Sequence, residues 1–315
     1  MKSKGRALAG GMLLLAAALL AACLPDGSMR REASDPRDED TVTIAQAFLR
    51  EWLDGGGQAS AYRQYAAVDM VQHDPRIADG LRGVLAFLQE GSGSRDERAS
   101  LLNMVLVDGD LFAIHRIEFS DVHDTGTATV EIWRTAHGRI VEHWSVRQPV
   151  PEAMPHENGM GCGTAQRLSD ALAQRDPVSN PSCGLPNAAM TRAASIAVFD
   201  GYTTQVAQGD VEAAMKRWLT DDYRQHSPMI ADGIDGALDF LMDEFGKGDA
   251  AMPRFGPMRT LVEGDLVLKH RITFYADGRQ TANVDIFRMT NGQVSEHWDV
   301  IQPMPAQSAN RNGMW

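Results

Sequence analysis

The chain has 315 residues, a formal net charge of −12 and three cysteines. So acidic a balance argues against nucleic acid or an anionic membrane surface as the main partner. The roughly 290 residues left after removal of a leader suit two ordinary domains.

The leader comes first. Lys2, Lys4 and Arg6 form a basic front, and an apolar run rich in Leu and Ala extends from Ala7 to Ala22. The run is too short for an ordinary spanning helix and has the form of a signal peptide. It ends "LAAC", small residues before a cysteine, as a lipoprotein signal peptidase requires. Residues 1–22 are therefore expected to be removed and Cys23 to carry lipid that anchors the protein to a membrane. Leu24, rather than Asp, follows Cys23. In a cell with two membranes this favours the outer one, facing the periplasm. Residues 23–40 are charged and poor in apolar side chains, the composition of a flexible tether.

Residues 41–160 read as a domain. Thr41–Leu53 has helical spacing at Ile44, Ala47, Phe48 and Trp52, stopped by Gly55–Gly57. A second short helix precedes "QHDP", and Gly80–Gln89 forms a third with Leu81, Leu85 and Leu88 along one side. Four strands follow, Leu101–Val107, Leu111–Phe119, Thr127–Thr135 and Arg139–Val146. Helices followed by strands predict an α+β domain with helices on one face of an antiparallel sheet. Residues 161–189 are rich in Gly, Pro, Ser and Asn and hold Cys162 and Cys183. A pair of cysteines in an oxidising compartment predicts a disulfide in this linker. It would close a loop of about 20 residues, worth on the order of 3 kcal/mol in the chain-entropy description.

Residues 190–315 then repeat the first domain. "VQHDPRIADGLRGVLAFL" (Val71–Leu88) returns as "RQHSPMIADGIDGALDFL" (Arg224–Leu241). "LVDGDLFAIHRIEF" (Leu106–Phe119) returns as "LVEGDLVLKHRITF" (Leu261–Phe274), and "VEIWRTAHGRIVEHWSVRQPVPE" (Val130–Glu152) as "VDIFRMTNGQVSEHWDVIQPMPA" (Val284–Ala306). Even "ENGM" (Glu157–Met160) recurs as "RNGM" (Arg311–Met314). A period this long means that each copy is a whole domain, not a solenoid unit.

The element order, with "QHSPMIADG", "EGDLVLKH", "VDIFRMTNGQVSEHWDVIQPMP" and "SANRNGM", resembles the SnoaL-like proteins, named for polyketide cyclases, of the cone-shaped nuclear transport factor 2-like superfamily. The resemblance covers nearly all of both copies. It implies an apolar cavity between sheet and helices, a small apolar ligand or carbonyl substrate, and no cofactor. It also implies a carboxylate near the end of the sheet as acid/base, which Asp299 matches by position. Related domains pair through their sheet faces, so the two copies are expected to form an intrachain pseudo-dimer. The fold hosts cyclases, isomerases, dehydratases, hydrolases and non-catalytic binders, so it does not fix the activity.

Strand alternation nominates the side chains. In "LVLKHRITF", Leu268, His270, Ile272 and Phe274 share one face, and Ala113, His115, Ile117 and Phe119 repeat the pattern. The apolar face is expected to line the cavity, which makes His270 and His115 ionisable groups on its wall. The last hairpin leaves two constellations open. A two- or four-residue turn at "TNG" puts Asp285 with Glu296 and Trp298, beside His270; a three-residue turn with a glycine bulge at Gly292 puts it with His297 and Asp299. A buried Asp or Glu has its pKa raised, which fits it to take a proton from carbon beside a carbonyl.

In the first copy Glu131, Glu142, His143 and Trp144 occupy the corresponding places, but Ser145 replaces Asp299. The first domain then lacks the acid, unless Glu131 serves. His73 and His226, in "QHDP" and "QHSP", are candidates for the pocket mouth. Trp144 and Trp298 are read as core or interface aromatics. His226, His270, Asp285 and His297 are metal-ligand types, but no short ligand motif joins them and no metal is expected. No Gly-x-Ser-x-Gly elbow or phosphate-cradling loop is present. Two functions remain: cofactor-independent acid–base chemistry on a small carbonyl compound, or a lipoprotein module that binds a ligand or protein without chemistry.

Overall fold

The computed structural model describes residues 36–54, 56–91, 99–121, 123–163, 186–246 and 253–315. The leader, Cys23 and Cys183 lie outside them. Among the described residues no helix is long and apolar enough to cross a membrane.

The first copy runs α1 (Pro36–Asp54), α2 (Gly57–Tyr65), β1 (Ala66–Gln72), α3 (Gly80–Gly91), β2 (Ala99–Asp108), β3 (Leu111–Phe119), β4 (Thr127–Ala136) and β5 (Arg139–Pro149). The second repeats it as α4 (Arg192–Ala207), α5 (Val211–Trp218), β6 (Leu219–Gln225), α6 (Gly233–Gly246), β7 (Arg254–Glu263), β8 (Leu266–Phe274), β9 (Gln280–Thr290) and β10 (Gln293–Pro303). The protein is thus α+β, with two tandem domains. α1 starts inside the stretch expected to be tether, on Pro36, which is suited to a first turn that needs no N–H. Thr191 caps α4 by accepting from Ala194 N at 3.2 Å.

Each sheet has five strands, in the orders β1-β5-β4-β3-β2 and β6-β10-β9-β8-β7. β1 lies parallel to β5 and β6 parallel to β10, so the sheets are mixed, not four-stranded and antiparallel as expected. The extra strands hide in sequence because each leaves a helix without a turn residue. β6 also carries Asp221 and Asp222, poor strand formers.

The central strands of each sheet are buried on both faces. One face packs on its own helices, through Phe48, Tyr62, Phe112 and Trp133 in the first copy and Phe199, Met215, Val267 and Met289 in the second. The other faces share a single apolar seam. Met104, Ala113, Ile117, Val130 and Trp144 of the first sheet join Leu261, Leu268, Val284, Ile286 and Trp298 of the second.

Bonds across the seam are reciprocal. Val107 N donates to Glu263 at 2.6 Å, and Val262 N to Asp108 at 2.9 Å. Arg147 N donates to Gln302 Oε1, and Ile301 N to Gln148 Oε1. Residue i of one copy meets residue j of the other in both directions, the mark of an isologous contact.

If the seam is a true core, Ile286→Ala should cost about 2–5 kcal/mol of unfolding free energy in urea titration. Val68→Ala, at an exposed position of β1, should stay within about 0.5 kcal/mol. Equal, small costs for both would remove the seam from the stability argument.

Candidate active site

The last hairpin decides which side chains meet. Asn291 and Gly292 both have positive φ, and Thr290 pairs with Gln293, so the turn has two residues. By that rule Asp285 should join Glu296 and Trp298. It does not, because the register shifts between Val294 and Glu296. The bulge at Ser295 reverses the parity beyond it. Val294 packs on the helix side, whereas Trp298 lies in the seam. Asp299 therefore stands directly opposite Asp285, and both share the helix-facing side with His297. All three are buried.

Like charges directly opposite on two strands repel, and the neighbours divide them. Arg271, from β8, donates to Asp285, and His297 Nε2 lies 3.4 Å from its other oxygen. Burial alone would raise the Asp285 pKa, but Arg271 and then His297 outweigh it and hold the carboxyl below its usual range. Asp299 has no cation of its own. Burial pushes it up to about 6; His297 opposes the rise, the Asp285 charge adds to it, and a hydrogen bond from Ser227 holds it back. One Asp299 oxygen is buried without a partner.

His297 is oriented from behind. Gln225 Oε1 receives the backbone N–H groups of His226 and Ser227, at 3.0 and 2.9 Å. It also meets His297 Nδ1 at 3.0 Å. An oxygen so placed is an acceptor, so the network assigns the Nδ1 proton to His297 and turns Nε2 toward the carboxylates. Gln225 Nε2 donates to the Tyr223 hydroxyl at 3.1 Å. Burial raises the phenols of Tyr202 and Tyr223 above the ordinary value, with Asp285 adding to the first and Tyr202 and Asp299 to the second. Both rings are thus neutral hydroxyls near the acids.

The first copy keeps the frame and moves the charge. Gln72 Oε1 meets His143 Nδ1 at 2.9 Å, Arg116 donates to Glu131 at 2.9 Å, and Glu131 pairs with Ser145 in register. The missing carboxylate reappears as Asp74, where the second copy has Ser227. Burial would raise Asp74, but Arg76 binds both of its oxygens and holds it below the usual range. Interior side chains differ in size as well: Tyr62, Phe112 and Trp133 stand where the second copy has Met215, Val267 and Phe287, and Met70 where it has Tyr223.

The histidines nominated by strand alternation lie elsewhere. His270 and His115 alternate with seam residues and face the other sheet, not the helices. They are buried, and burial pulls each down to about 3, so neither is charged near neutrality. A strand with one wet face turns its apolar side chains to the cavity, which is the expectation for β3 and β8. Here both faces are dry, and the apolar one serves the other copy. Glu296, Trp298 and His226 belong to the seam as well: His226 stacks on Trp298 at 4.5 Å and lies 3.5 Å from Glu296. His73, Trp144 and Glu142 repeat this, with His73 stacked on Trp144 and 2.8 Å from Glu142. Arg259 Nη1 meets His270 Nδ1 at 2.9 Å and lies over Trp144.

Sequence reasoning missed Arg271, Gln225, Tyr202 and Tyr223. The parity of Arg271 with Asp285 across β8 and β9 was a usable signal once the apolar face had been given to the seam. Among the described residues, Asp285, His297 and Asp299 bring metal-ligand atoms within 4.8 Å of one another. The Arg271 guanidinium already neutralises Asp285 and would repel a second cation, so the group fits proton sharing better than metal binding. Cys162 is disulfide-bonded; its predicted partner Cys183 lies outside the described residues.

No protein-family model and no curated protein matches the chain. Solved structures do. TsrD from Streptomyces laurentii is 20% identical, covers 36% of this chain and 90% of its own, with a TM-score of 0.28. An NTF-2 like protein from Burkholderia xenovorans LB400 is 18% identical over 35% of this chain and 84% of its own, with a TM-score of 0.28. A SnoaL-like protein from Jannaschia Sp. CCS1 is 16% identical over 38% and 92%, with a TM-score of 0.30.

The acid pair predicts a pH signature. Asp299 has a folded pKa above its unfolded one, so its contribution to stability is fullest below about pH 4 and is lost as pH rises through about 6. The loss is about 3 kcal/mol at most, from a shift of about two units. Asp299→Asn should therefore gain stability relative to the parent as pH rises from 4 to 6, then hold that difference, in urea titrations across pH. A constant difference would mean that the carboxyl is not perturbed.

Proposed function

We propose that the second domain is a cofactor-independent acid–base enzyme for a small carbonyl compound, performing isomerisation, dehydration or aldol-type cyclisation. The observation that carries this is the division of labour between two facing carboxyls. One is fixed as an anion by Arg271, and the other is left without a cation and poised near pH 6. A base with a pKa near the working pH combines the right protonation state with driving force. Asp299 takes the proton from carbon. Tyr202 or Tyr223 donates a hydrogen bond to the oxygen on which charge develops. Asp285, His297 and Gln225 hold the arrangement. The apolar Phe199, Phe287 and Val267 supply the dry wall.

The first domain contributes no acid, since Asp74 is locked to Arg76. We place the two domains as an intrachain pseudo-dimer, a reading supported by the reciprocal seam bonds. We place the protein outside the cytoplasm, tethered by lipid on Cys23, on the strength of the "LAAC" leader. The second reading is a ligand- or protein-binding module without chemistry. The first copy favours it, because the same Gln–His–carboxylate–Arg frame stands there without a free base.

Solvent deuterium uptake at carbon separates the two. With protein from Ser28 onward and a panel of small carbonyl compounds, exchange should rise with pH through an apparent pKa near 6. It should fall about 10²–10⁴-fold in Asp299→Asn and persist in Ser145→Ala. Binding by thermal shift with no exchange for any compound would select the module.

A further inference from the structure

The "ENGM" and "RNGM" segments end the two copies and take no part in the chemistry above. Each lies on the other copy. Asn158 donates to Gln225 O at 3.0 Å, His226 Nδ1 meets Gly159 O at 2.6 Å, and His156 Nε2 meets Ser227 O at 2.8 Å. In return Asn312 donates to Gln72 O at 2.9 Å, His73 Nδ1 meets Gly313 O at 2.9 Å, and Asn310 donates to Asp74 O at 2.7 Å. The two arms are exchanged, and each grips three consecutive residues, Gln225–Ser227 or Gln72–Asp74.

In the second copy those three residues are the back wall of the site. Gln225 holds His297, and Ser227 holds Asp299. The arm of the first copy is therefore one bond behind the proposed acid. The arms also differ where the sites differ. His156 stands over Ser227, and Asn310 over Asp74. His156 is buried, and a carbonyl accepts from its Nε2, so the ring is a fixed donor.

We propose that His156 is a positioning residue for Asp299, acting in trans from the first copy through Ser227. This rests on the reading of Asp299 as the working acid. The arm bond fixes the Ser227 backbone, and with it the direction of the hydroxyl. Besides Ser227, the titratable or charged groups facing Asp299 and Asp285 are His297 from β10, Arg271 from β8, Tyr223 from β6 and Tyr202 from α4. The bond that His156 makes is to Ser227, so Ser227 is the route from His156 to the acid.

The test is a double-mutant cycle read on the acid itself. In the full mature chain with 13C-labelled aspartate side chains, the Asp299 resonance is identified by its absence in Asp299→Asn. Ser227→Ala removes a bond that favours the anion, so the Asp299 midpoint should rise. His156→Ala should raise it by a similar amount, and should add nothing in the Ser227→Ala background. His156→Leu, close in volume but without a donor, should act as His156→Ala does, and serves if the smaller side chain prevents folding. His156→Asn, the residue type of the other arm, should restore the parent midpoint. A midpoint that ignores His156, or that moves equally with and without Ser227, overturns the inference. An Asp299 that titrates in the ordinary carboxylate range in the parent overturns the acid–base reading instead.

Discussion

The seam between the two sheets determines what every strand face is free to do. A β-strand offers its side chains alternately to two sides, and here the greasier set lies against the other copy. Large apolar side chains that leave water for such a contact contribute roughly 1.5–3 kcal/mol each, and Trp144 and Trp298 are among the largest fully buried ones. With that face committed, the opposite face alone meets the helices. It carries Arg116, Glu131 and His143 in one copy and Arg271, Asp285, His297 and Asp299 in the other. A chain that folded as one isolated cone would need the reverse arrangement, with polar groups outward.

Burying so many charged groups is costly unless each finds a partner. The first copy is nearly self-sufficient: Arg116 serves Glu131, and Arg76 serves Asp74. The second copy has the same histidine and glutamine but places its extra carboxyl on β10 with no arginine beside it. The difference amounts to an exchange of Asp and Ser between two positions, Asp74 with Ser145 against Ser227 with Asp299. One arrangement satisfies the charge and the other leaves it strained. Strain of that kind persists where the surroundings over-determine it, and it is the usual condition of a group that must change protonation state.

Much of the architecture was legible in the residues. The internal repeat, offset by about 154 residues, announced two domains, and helical spacing followed by strand alternation announced helices on a sheet. β1 and β6 were not legible, since a parallel edge strand that grows directly out of a helix has neither turn signal nor apolar alternation. Asp285, His297 and Asp299 were visible as one of two possible sets. The choice between them turned on a bulge at Ser295, an extra residue that no side-chain preference marks. The reading of His270 and His115 went astray for a different reason. Alternation tells which residues share a face, but not what covers that face, and here a second sheet covers it.

The same ambiguity explains why the duplication matters. The apolar faces of the two sheets share one buried cluster, and the two copies that supply it belong to one chain. Once the partner is permanent, the copies need not stay alike. One interior can fill with Tyr62, Phe112 and Trp133 and lock its carboxylates, while the other keeps smaller side chains at the matching places and an unpaired acid. Divergence is limited only by what each copy supplies to the other: half of the seam, and an arm across the back of the other's Gln–His–Asp or Gln–His–Ser segment. Those shared parts, "EHW" and the Asn-Gly of the arms, are among the stretches in which the two copies still read almost alike.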